Sequence, residues 1–142
     1  MLPAEITAAE LATMAALYGE AQGGGGGART GRALRKIDAM GFAGVWFLID
    51  RLRAIDYRDH EGLQWAQIPN LCLTDITCGV HAGFVPVADG PEPGKVDPRL
   101  ARWDAETVAV WCRGAELLWP TKARFDEFVR QRKAECDAEP DR

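Results

Sequence analysis

No stretch of this sequence stays apolar for long. The longest run, residues 42–49, spans about eight residues and contains a glycine, far short of the roughly 20 that a membrane-spanning helix needs. The opening, MLPAEITAAELATM, carries acids where a secretory leader has a basic start and an apolar run. With neither kind of segment, a cytoplasmic chain with no membrane partner is expected, and its 4 cysteines are expected to be reduced. Their spacing, Cys72-x5-Cys78 and then long gaps to Cys112 and Cys136, is not that of a disulfide framework. Catalytic motifs are missing too: there is no nucleophile elbow, no HExxH and no P-loop. Positive charge is not in excess. A net charge of −4 argues against a surface that grips nucleic acid all round and leaves room for a local basic patch.

What is present fits one folded domain. With 142 residues, 47% of them apolar and 27% charged, the chain has the composition of an ordinary globular protein and enough length for a real core. A single domain over 1–142 is expected, with a flexible glycine-rich loop at 23–27 and an acidic, frayed tail at 136–142.

The richest stretch is 98–119. At about 100° per residue, Leu100, Thr107, Trp111, Ala115 and Leu118 share one stripe, and Trp103, Val110 and Leu117 make a second at steps of seven. Together they cover roughly 220° of a helix, against the roughly 100° that an outer helix needs. So wide an arc means core on two sides, or core on one side and a partner on the other. Two starts compete. Asp97-Pro98 offers an aspartate cap with proline at the first helical position. Asp104 offers a later cap that leaves Trp103 at the helix mouth, and this later start is preferred because it accounts for a carboxylate within the apolar arc.

Other elements follow from caps and spacing. Thr7 and Glu10 form a capping box for a first helix to about residue 22. Thr30 caps a second, basic at its front, that stops at Gly41. Val45, Leu48, Ile49, Leu52 and Ile55 stripe a third, with Trp46 and Phe47 to the side. Phe125, Phe128 and Val129 mark a last helix, capped by Thr121 and running to about residue 135. Between residues 56 and 97 the pattern changes. Residues 63–66, 71–78 and 84–87 suit short strands, with Pro69 as a breaker and Pro86 confining the third to an edge. The expected fold class is therefore α+β: about five helices with a small antiparallel sheet of two to three strands inserted in the middle.

Three kinds of chemistry compete. Cys72, Cys78 and His81 are metal-ligating types, and His60, Cys112 or Asp75 could complete a zinc set. Against this, the two cysteines would lie about 20 Å apart on a strand, so no metal and no cofactor is expected. Asp56, Asp59, His60 and Glu61 crowd one turn and could do acid–base work with Asp75 and His81, but they also make an ordinary solvated turn. Residues 29–36 carry four cations, Arg29, Arg32, Arg35 and Lys36. Residues 121–133 carry five, including Arg130 and Arg132, against Asp126 and Glu127. If the two helices meet, the patch could contact phosphates. Tryptophan and arginine are favoured interface anchors; Trp46 lies off its helix's core stripe, and Trp103 and Trp119 lie at the edges of theirs. The expectation is a non-enzymatic cytosolic interaction protein, an adaptor, regulator or inhibitor, that binds another protein or a nucleoprotein complex. Trp46, Trp119, Arg29, Arg32, Arg35, Lys36, Arg130 and Arg132 are the candidate contacts. The alternative is a nucleic-acid-binding regulator using the basic segments 29–36 and 121–133; third comes a small hydrolase or zinc protein. The sequence sets no oligomeric state.

Overall fold

The computed structural model describes residues 2–80 and 97–138, apart from the side chains of residues 60, 63 and 64. Six helices make it up: α1 (Ala8–Gly23), α2 (Ala28–Asp38), α3 (Phe42–Ala54), α4 (His60–Ile76), α5 (Pro98–Leu118) and α6 (Lys122–Ala138). No strand occurs among the described residues, so the expected α+β class is corrected to all-α.

The error lies in the middle of the chain. Residues 63–66 belong to α4, and residues 71–78 run through its end and just beyond. The segment 84–87 lies outside the described residues. Pro69 sits inside α4 and removes only one backbone donor. The helix continues because Ala66, Pro69, Asn70, Leu73, Ile76 and Thr77 are buried at spacings of three and four. Its threonines are absorbed locally: Thr77 Oγ1 donates to the Leu73 carbonyl at 2.7 Å and Thr74 Oγ1 to that of Asn70 at 3.2 Å.

The fold is organised around α3. Every other helix packs on α3, and nine of its 13 residues are buried. A helix enclosed on all sides has no need of a polar face. That corrects the reading of Trp46 as a surface contact. It is 7% exposed, and its Nε1 donates to the Trp119 carbonyl at 2.9 Å. Trp119, also expected at the surface, is 1% exposed and sits edge-on to Phe125 and Phe128 with ring centroids 5.7 and 5.3 Å away. The pair ties the end of α5 and the start of α6 onto α3.

The caps at 7, 97 and 121 act as their side chains suggest. Thr7 and Glu10 exchange both bonds of the box, at 2.9 and 3.1 Å. The Arg124 amide donates to Thr121 Oγ1 at 3.3 Å. Asp97 accepts from the Arg99 amide at 2.8 Å and Pro98 follows, so the preferred later start at Asp104 is corrected. Asp104 lies in mid-helix, fully buried beside Tyr57. The run 23–27 forms a defined turn. Gly25 and Gly26 take φ of +63° and +83°, and a Cβ on Gly24 would lie 2.5 Å from Thr30 Oγ1. That hydroxyl accepts from the Gly26 amide and donates to the Ala21 carbonyl at 2.7 Å, so Thr30 clamps the turn from within α2 instead of capping it. α6 continues through Ala138, past the expected end near 135, and residues 139–142 of the tail lie outside the description.

Candidate interaction surface

The outward side of α5 is a long helix face with exposed apolar residues and no neighbour among the described residues. Its extensive helix contact is with α3, made through Ala101, Thr107, Val108, Trp111 and Ala115, which are buried. The second sequence stripe points away from them. Trp103 is 44% exposed, Val110 44% and Leu117 71%, in a line along the helix. Among the described residues, α5 has core on one side only. Trp103 is no anchor at a helix mouth; it lies in the second turn and faces solvent.

The basic residues are dispersed. Arg29, Arg32, Arg35 and Lys36 are exposed on α2. On α6, Arg130 forms an ion pair with Glu127, and Arg132 straps α6 to the turn just after α4, its Nε donating to the Cys78 carbonyl at 3.1 Å. The two basic segments do approach each other: Arg35 and Lys133 line one cleft of about 570 Å³ between α2, α4 and α6. Asp38, Asp75 and Asp126 line it too, and Phe125 and Val129 form its apolar wall. Three carboxylates where the basic helices meet break the continuous positive field that phosphates would require.

This cleft holds the residue the sequence reading overlooked. Asp38 has Oδ1 buried without a hydrogen-bond donor among the described residues. Burial, with the Asp75 charge adding to it, pushes its carboxyl up to about 6, against an opposing bond from the Cys72 thiol. The available signal was its place at the last position of a helix, where the dipole disfavours a negative charge. Burial and the neighbouring acids push the Cys72 thiol up to about 12, so it is no thiolate nucleophile or ready metal ligand at neutral pH. Cys78 lies half-buried after α4, and no group of acids, cysteines or histidines among the described residues is placed to hold a metal. His81 and the side chain of His60 fall outside the description. Of the polar turn, Asp56 Oδ1 accepts from the Arg58 amide at 3.0 Å, and Asp59 caps α4 by accepting from the Gly62 amide at 3.4 Å. Both carboxylates are thus engaged by backbone. No described helix is long and apolar enough to cross a membrane.

No protein-family model matches this chain, and no curated protein or solved structure matches it either.

Proposed function

We propose that this is a non-enzymatic, cytosolic interaction protein, an adaptor, regulator or inhibitor, that binds another protein through the outward stripe of α5. One observation carries the reading: Trp103, Val110 and Leu117 stand exposed in a row on a helix whose other side is core. Single exposed apolar residues are ordinary on any surface, but an aligned row headed by tryptophan is the composition of a binding face. The free cysteines accord with a reducing compartment.

The test is a photo-crosslinking amino acid placed at position 110 in cells expressing the chain. It should trap a discrete protein adduct, and the same group at Arg32, exposed on α2, should not. Absence of any adduct at 110, or an adduct confined within the chain itself, would sink the reading.

A further inference from the structure

Resting on that reading, we infer that the partner on this stripe is a second copy of the same chain, docked α5 against α5, antiparallel, about a two-fold axis beside Ala109. The stripe repeats every seven residues, Trp103, Val110 and Leu117. Seven-residue spacing follows a neighbouring helix at a shallow crossing angle, so the surface is shaped for a helix.

Size complementarity says which helix. In an antiparallel pair about Ala109, facing residues have numbers that sum to about 218, since the axis relates each helix to its reverse. Trp103 then lies over the partner's Gly114 and beside the partner's Leu117, and Val110 lies against the partner's Val110. Gly114 has nothing within 4 Å of where a Cβ would stand. It is an open hollow on the same face as the bulkiest side chain, and the two-fold fills both hollows with both tryptophans.

Charge gives the same register. One edge of the stripe carries Glu106 and Arg113, both exposed, and neither is in an ion pair among the described residues. The antiparallel two-fold brings this edge against itself. Glu106 then meets the partner's Arg113, twice. A parallel two-fold would set the charged edge against the partner's Gly114 edge and leave both charges unpaired.

Sedimentation of the full chain tests this, with Glu106→Arg and Arg113→Glu made separately. Both positions are exposed, and circular dichroism checks that each variant keeps its fold. Wild type should be substantially dimeric at about 200 µM and dissociate on dilution. Each variant alone places like charges together twice and should dimerise about tenfold more weakly. Mixed, the two should recover the wild-type affinity, since each then offers the other a complementary edge. Wild type that stays monomeric, or a mixture no tighter than its components, overturns the second copy as partner. The crosslink at position 110 separates the two failures. An adduct of twice the chain mass supports the dimer. An adduct with a different protein overturns the dimer and leaves the interaction reading standing, and no adduct overturns both.

Discussion

Asp38 sits where a carboxylate is costly. It closes α2 at the negative end of the helix dipole, faces Asp75, and has one oxygen buried without a donor among the described residues. Its folded carboxyl titrates at about 6 against an ordinary 3.8. The native state therefore holds this proton more tightly than the unfolded chain does. The stability it contributes is fully present below about pH 4 and is lost as pH rises through 6. Asp38→Asn mimics the protonated form. After discounting for the group's partial exposure, we expect the variant to be about 1 kcal/mol more stable than wild type at pH 7.5. That advantage should shrink towards zero at pH 4. Urea titrations of the two proteins at both values give the answer as a difference of differences, in which the other carboxylates cancel. An advantage independent of pH would mean that the ionised carboxylate is not the cause.

At the scale of elements, two glycines in helices have opposite meanings. A Cβ on Gly44 would stand 2.5 Å from the Ile37 carbonyl oxygen, so the close approach of α3 to the end of α2 depends on its absence. Gly44→Ala should cost about 1–3 kcal/mol. Gly114, with open space around it, should gain up to about 1 kcal/mol on replacement by alanine, through helix propensity. Both are read from thermal unfolding at low protein concentration; a Gly44→Ala chain as stable as wild type would show that the α2–α3 contact is loose. Sequence alone does not separate the two, because the obstruction at Gly44 comes from another helix. The same limit governs what was legible elsewhere. The capping box at Thr7 and Glu10, the Asp97-Pro98 start and the turn at Gly41 are local signals. They place four of the six described helices to within a turn or so; the fifth, α5, was expected to start about two turns late, at Asp104. α4 was missed because its core stripe contains Pro69, Asn70 and Thr77, residues whose local preference is for turns and strands. Tertiary burial overrides that preference, and nothing in the local sequence reports it.

For the whole molecule, the misplacement of Trp46 and the survival of the α5 stripe have one cause. Apolar arc can be counted from sequence, but the number of neighbours that will cover it cannot. α3 and α5 both show more apolar surface than one contact needs; α3 receives five helices, and α5 one extensive contact among the described residues. Trp46 on α3 therefore became core and Trp103 on α5 remained exposed. If α5 finds its second contact in another copy of the chain, folding and association are linked, because only the folded chain presents the stripe. Thermal stability must then depend on concentration. Raising the protein about a hundredfold, across the dissociation range, should lift the unfolding midpoint by about 3–5 °C by mass action, given the entropy of unfolding a domain of this size. The Arg113→Glu chain should show little of that rise at the same concentrations, although its midpoint at high dilution should match wild type within about 1 °C, the position being a solvent-facing one. A wild-type midpoint that does not move with concentration would show that folding and self-association are not linked through this stripe.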